Sequence, residues 1–234
     1  MSIPKTIHYC WFGRGKKSEL VLKCIESWRK YCPDYKIIEW NEDNFDMQIN
    51  DYVKGANKNK RWGFVSDYAR CFVVEKYGGV YLDTDVELIK PIDELLGCKA
   101  FFAAENDDYI NTGLGFGAEP GNQVLQRIIR DYDLASYYKS SSKEDLTTCP
   151  VRNTRIIKDL YPDLAFDRKN TKDGIVFLPA EYFCPLNYET GKLQITKNTY
   201  GIHHFSGSWQ TPFEKRRRQI KKAVKRVFQR VRHE

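Results

Sequence analysis

An apolar run that ends in two acids limits the fold of this chain more than any other feature. Gly78-Gly79 closes a helical pattern, Val80-Tyr81-Leu82 reads as a short buried strand, and that strand runs directly into Asp83-Thr84-Asp85. Upstream, Trp62, Val65, Ala69, Phe72 and Val73 recur at the spacing of an amphipathic helix. A helix that feeds a buried strand is part of a parallel α/β unit, and open α/β sheets gather ligands at the carboxyl ends of their strands. The two acids stand where such a site belongs.

The rest of the chain agrees with that class. Thr6–Trp11 is strand-like, Ser18 caps a helix whose face carries Val21, Cys24, Ile25 and Trp28, and after the break at Pro33-Asp34 the segment Tyr35–Trp40 reads as the next strand. Phe101–Ala104 and Ile175–Leu178 are further strands, and Val124, Leu125, Ile128 and Ile129 mark a helix. Residues 41–60 and 136–150 are polar and weakly patterned, the second being a loop or helical insert. No repeat and no long Pro/Gly-rich linker divides the chain, so one α/β domain over 1–213 is expected, followed by a basic tail over 214–234.

Charge must be mapped before it is interpreted. The net charge of +7 comes from 38 Lys and Arg against 31 Asp and Glu, but residues 215–234 alone hold ten of the basic residues and one of the acids. The body of the chain is therefore close to neutral, which argues against a nucleic-acid-binding surface there, and no nucleic-acid partner is expected. The seven cysteines form no C-x-x-C pair and fall mostly in apolar segments, which points to free thiols and a reducing, cytoplasmic setting. No apolar run is long enough for a signal peptide or a membrane span.

Two carboxylates two residues apart at a strand end make a hard-oxygen site for Mg²⁺ or Mn²⁺, so Asp83 and Asp85 are the first metal-ligand candidates. Asp67 and Arg70 are three apart on the preceding helix and share one face, from which they can reach one polar pocket or form a plain surface ion pair. Late in the chain, His203-His204 offers imidazole, which could add a third protein contact to a metal held by the two acids. Asn111-Thr112-Gly113 lacks the spacing of a dinucleotide loop, and its plain reading is a turn whose Asn side chain bonds its own backbone.

Three blocks together resemble one family. Ile3–Trp11, Ser66–Asp85 and His203–Trp209 look like the D-x-D glycosyltransferases of family 32, which include capsular-polysaccharide sugar transferases and fungal mannosyltransferases, with the glucosylating clostridial toxins as distant relatives. The resemblance implies a single GT-A (Rossmann-like) domain with a mixed central sheet, a nucleotide-diphosphate sugar donor, expected to be UDP-linked, Mn²⁺ or Mg²⁺, and retention at the anomeric carbon. Carried over by residue, it gives Asp85 direct metal contact and Asp83 the ribose or sugar and the metal through water. It gives Asp67 and Arg70 the hydroxyls of the transferred sugar. Tyr81 and Trp11 fall to the nucleotide pocket, Asn111 to the sugar, and Ser208 and Trp209 to the diphosphate. The family's third metal ligand, three residues before a glycine, falls on His204 ahead of Gly207, with His203 alternating to the opposite face.

The expected activity is hexosyl transfer to a glycan or lipid-linked saccharide in surface-polysaccharide synthesis. Two other readings stay open: a metal-dependent nucleotidyl or phosphoryl transferase using the same acids, and a non-catalytic lipid- or nucleic-acid-binding protein acting through the tail. Within that tail, Ile220, Val224, Val227, Phe228 and Val231 form one apolar stripe flanked by Lys and Arg. The pattern fits an amphipathic helix on an anionic membrane surface at the inner face of the cell membrane, or a helix packed on the domain.

Overall fold

The computed structural model describes residues 2–140, 143–188 and 190–207. The expected opening is present: β1 (Thr6–Cys10), α1 (Glu19–Tyr31) and β2 (Lys36–Trp40), with Ser18 Oγ accepting the Val21 amide as N-cap and Val21, Cys24, Ile25 and Trp28 buried. The stretch expected to be irregular contains a helix, α2 (Asp51–Lys58), capped by Asn50 Oδ1 accepting from the Val53 amide at 2.8 Å. It then leads into α3 (Trp62–Tyr77) and β3 (Gly79–Tyr81). Gly78 ends α3 at φ 65°, a conformation that favours glycine, and turns the chain within one residue into the strand.

Beyond the acids come β4 (Val86–Leu88), β5 (Ala100–Ala103), β6 (Phe116–Ala118) and α4 (Gln123–Asp133). The polar stretch at 136–150 holds a two-stranded ribbon, β7 (Tyr138–Ser140) with β8 (Lys143–Glu144), and the start of α5 (Cys149–Leu160). The last strands are β9 (Asn170–Lys172), β10 (Ile175–Leu178) and β11 (Gly201–His203).

A seven-stranded mixed sheet in the order β2-β1-β3-β6-β5-β10-β9 is the frame. β1 pairs in parallel with both β2 and β3, whereas β6 runs antiparallel to β3 and β5. The central strands are buried on both faces, so successive residues serve opposite cores. Phe102 joins the core with α3 and α4, while Phe101 joins the core with α1.

The smaller β4–β11 pair is held by α1: Trp28 Nε1 donates to the Val86 carbonyl at 2.8 Å, and Ser27 Oγ accepts the Leu88 amide at 2.9 Å. That attachment fixes β11 beside the carboxyl end of β3. At the other side of β3, His8 Nδ1 accepts from Trp40 Nε1 at 3.0 Å and its Nε2 lies 2.9 Å from the Gly78 carbonyl. Two bonds of this kind define a neutral imidazole with the proton on Nε2, and burial, as the largest influence, holds its pKa below the ordinary value. Among the described residues, no helix is long and apolar enough to cross a membrane.

Candidate active site

β3 ends at Tyr81, but the ladder continues one step, with the Leu82 amide donating to the His8 carbonyl at 3.1 Å. The chain then turns. Asp83 donates its amide to the Gly113 carbonyl at 3.1 Å, and its own carbonyl accepts the Val86 amide at 2.9 Å. Asp83 and Asp85 are thereby fixed through their backbones at the carboxyl end of the strand.

The centre of the site is a buried guanidinium. Arg70, 4% exposed, lies beneath the acids, with Nη2 3.2 Å from Asp67 Oδ1 and 3.1 Å from Asp83 Oδ1. Its Nε donates to the Ser66 carbonyl at 3.1 Å and its Nη1 to the Cys149 thiol at 3.6 Å. The Asp67–Arg70 pair is thus no surface ion pair, although its i,i+3 spacing allowed that reading. Arg70 donates through Nε and Nη1 to the protein and holds Nη2 between two carboxylates, so it organises the carboxylates from below.

Burial raises the Asp67 carboxyl, with Arg70 opposing it, and desolvation likewise raises Asp83 against the pull of Arg70. Tyr81 corrects another expectation. Its ring lies in the core at 1% exposure, under the Arg70 guanidinium at 5.0 Å, and its hydroxyl donates to Asp83 Oδ1 at 2.9 Å. It supports the acid instead of lining an open nucleotide pocket.

The histidine expectation is also reversed in position. His203 Nε2 lies 3.4 Å from Asp85 Oδ1, whereas the His204 ring turns to Glu87 Oε2 at 2.9 Å. The cause is register. β11 pairs with β4 so that His203 stands opposite Val86, and His204 reaches the site only through its amide, which donates to the Asp85 carbonyl at 2.9 Å. Phe205, at φ 52°, then bends the chain back, and the Ser206 amide donates to Asp85 Oδ2 at 2.7 Å. Although burial opposes charge at both groups, the pairing with Asp85 raises His203 to about 10, and His203 with the Ser206 amide holds Asp85 far below the ordinary carboxylate range.

Asn111 is at the site, and its side chain makes the turn bond that was the plainer reading: Oδ1 accepts the Gly113 amide at 2.7 Å, while Nδ2 donates to Glu105 Oε2 at 2.6 Å. Trp11 follows β1 as expected, but its Nε1 donates to the Gly15 carbonyl at 2.7 Å and Lys17 lies 5.4 Å over its ring. Ser208, Trp209 and the basic tail lie outside the described residues. Cys149 was missed as a site neighbour. The Thr148-Cys149-Pro150 run is a helix-start signal, with proline in the first turn, that could have placed it.

Three carboxylates, Asp67, Asp83 and Asp85, face one guanidinium and one imidazole, so the cluster is short of positive charge at its open side, where the Asp83 side chain is 29% exposed. Among the described residues, no group of three or more His, Cys, Asp or Glu is arranged to enclose a metal ion. Two carboxylates are nevertheless a fitting donor set for Mg²⁺ or Mn²⁺, because such ions bound with a nucleotide take few protein oxygens and complete their shell with phosphates and water.

Comparisons with known proteins agree with this geometry. Residues 18–102, which contain both acids together with Asp67 and Arg70, match the family described as "Glycosyltransferase sugar-binding region containing DXD motif". Inositol phosphoceramide mannosyltransferase 3 of Schizosaccharomyces pombe is 28% identical over 138 residues, which are 56% of this chain and 37% of that protein. A glycosyltransferase of Acanthamoeba polyphaga mimivirus is 23% identical over 201 residues, covering 81% of this chain and 76% of that one. Among solved structures, the PaToxG glycosyltransferase superposes with a TM-score of 0.54 at 17% identity, over 69% of this chain and 71% of that one, and shows the same fold.

Replacing Arg70 by Lys tests the buried cluster. An ammonium has no counterpart to the fork that reaches Ser66, Cys149 and both acids together, so Arg70→Lys should lose about 2–4 kcal/mol in urea unfolding. An exposed ion pair would give under about 1 kcal/mol. A loss that small would contradict the cluster described above.

Proposed function

We propose that this DXD glycosyltransferase of GT-A fold is a metal-dependent retaining hexosyltransferase that uses a nucleotide-diphosphate sugar, UDP-linked in the first instance. The observation that carries the reading is the placing of Asp83 and Asp85 together at the carboxyl end of β3, over the buried Asp67–Arg70 pair. In this reading Asp83 and Asp85 hold Mn²⁺ or Mg²⁺. Neutralising charge on the leaving diphosphate is the chemistry such an ion supplies when bound.

The chain's own residues do the rest. Asp67 and Arg70 face the hydroxyls of the transferred sugar, and Tyr81 keeps Asp83 in place. His203 and the Ser206 amide hold the Asp85 carboxylate in one orientation, which leaves its other lone pairs for the ion. The anomeric carbon exchanges its bond to the phosphate oxygen for a bond to the acceptor oxygen on the same face. The acceptor's proton passes to the departing phosphate, and no protein carboxylate takes the sugar.

A hexose moved to a saccharide or lipid-linked saccharide is the favoured transfer, in surface or capsular polysaccharide synthesis. The relative named as an inositol phosphoceramide mannosyltransferase supports both a hexosyl donor and a lipid-bearing acceptor. A lipid-borne acceptor also gives the basic, apolar-striped tail a purpose at the cytoplasmic face of a membrane, where each Lys or Arg near anionic lipid contributes about 1 kcal/mol.

The activity is tested by nucleoside-diphosphate release from UDP-, GDP- and dTDP-sugars with and without Mn²⁺. One donor should be hydrolysed in a Mn²⁺-dependent way, and Asp85→Asn should lower that rate by about a hundredfold or more while the protein stays folded. Release that is indifferent to metal, or an Asp85→Asn enzyme near the wild-type rate, contradicts the reading.

Sedimentation with liposomes tests the tail. The full chain should bind vesicles containing anionic lipid, less so at higher salt, and a chain ending at Phe213 should not. Equal sedimentation of the two chains would remove the membrane role.

A further inference from the structure

Helix α5 touches the site from a side that no sequence motif marks. Asn153, fully buried, donates from Nδ2 to Thr112 Oγ1 at 2.9 Å, and Thr154 Oγ1 accepts the Ile110 amide at 2.9 Å. The residues on both sides of Asn111 are thus tied to α5. Asn111 itself is tied through Cys149, whose sulfur is 3.6 Å from Asn111 Oδ1 and 3.6 Å from Arg70 Nη1.

Donor and acceptor roles follow from chemistry. An arginine only donates, so the sulfur accepts from Arg70, and the single thiol hydrogen is shared between Asn111 Oδ1, which also accepts the Gly113 amide, and the Asp67 carboxylate. The Asn111 amide nitrogen is occupied by Glu105. The far end of the chain is the acid itself, since the Gly113 carbonyl accepts the Asp83 amide. There is no slack between them: a Cβ added at Gly113 would lie 2.3 Å from Asp83 Oδ2 and 3.0 Å from Arg70 Nη1.

We infer that Cys149 and Asn153 are positioning residues, through which α5 holds Asn111–Gly113 and Arg70 in the shape that receives the sugar end of the donor. The inference rests on the function proposed above, because it takes Asp67 and Arg70 as the groups facing the sugar. It adds that α5 governs the sugar and not the nucleotide. A residue with only a structural role would weaken both alike.

The test is calorimetric titration of the full chain, in the presence of Mn²⁺, with UDP-glucose, GDP-mannose and dTDP-glucose, each beside its free nucleoside diphosphate. For the pair that the wild type prefers, Cys149→Ala should weaken binding of the sugar nucleotide about tenfold, the worth of one hydrogen bond, with the free nucleotide within about twofold. Cys149→Ser, which can accept and donate in the same sense, should recover most of the loss. Thr112→Val, which removes the Asn153 partner without altering α5, should reproduce the sugar-selective effect. Equal weakening of nucleotide and sugar nucleotide, or no weakening in Cys149→Ala, overturns the inference alone. A wild-type chain that binds no sugar nucleotide overturns it together with the proposed function.

Discussion

The site depends on one buried positive charge. A guanidinium taken from water into the core costs several kcal/mol unless it is paired and hydrogen-bonded, and Arg70 meets that condition with Asp67, Asp83, the Ser66 carbonyl and the Cys149 thiol. The partners come from three separate steps of the fold. Asp67 and Ser66 are on the same helix, Asp83 lies past the next strand, and Cys149 opens a helix 79 residues away in sequence. Removing an acid would leave charge uncompensated inside the protein, and removing the thiol would leave a buried donor unsatisfied. The interaction therefore ties α3, β3 and α5 to a common geometry.

A second charge balance lies at the open side. Asp85 is held ionised by His203 and by the Ser206 amide, while desolvation pushes Asp83 and Asp67 toward the neutral form. The Asp85 side therefore keeps a full negative charge, and a divalent ion would supply positive charge between the carboxylates and the diphosphate of a donor. The β4–β11 pair contributes by position. Because α1 holds β4 through Trp28 and Ser27, residues more than a hundred positions beyond the D-x-D run return to cap the same acid.

Much of this frame was legible in the amino-acid sequence, because long apolar patterns report burial directly. β1, α1, β2, α3 and β3 all followed from periodicity, caps and glycines, and so did the placing of two acids at a strand end. α2 was hidden because its buried residues, Tyr52, Val53 and Ala56, are few and lie in an Asn- and Lys-rich stretch. α5 was hidden because much of its buried face is polar: Arg152, Asn153 and Thr154 are inside, bonded to other elements. The choice between His203 and His204 depended on pairing with β4, a register that spacing along one strand cannot supply. The burial of Arg70 was likewise invisible, since i,i+3 spacing is the same for a surface pair and a core pair.

The most direct test of the account is Mn²⁺ binding followed by electron paramagnetic resonance, with and without UDP, in the wild type and in Asp83→Asn, Asp85→Asn and His204→Ala. The account predicts that UDP tightens Mn²⁺ binding in the wild type and in His204→Ala, and that the tightening is lost in both Asp variants. Wild-type Mn²⁺ binding in Asp85→Asn, or its loss in His204→Ala with the fold intact, would contradict it.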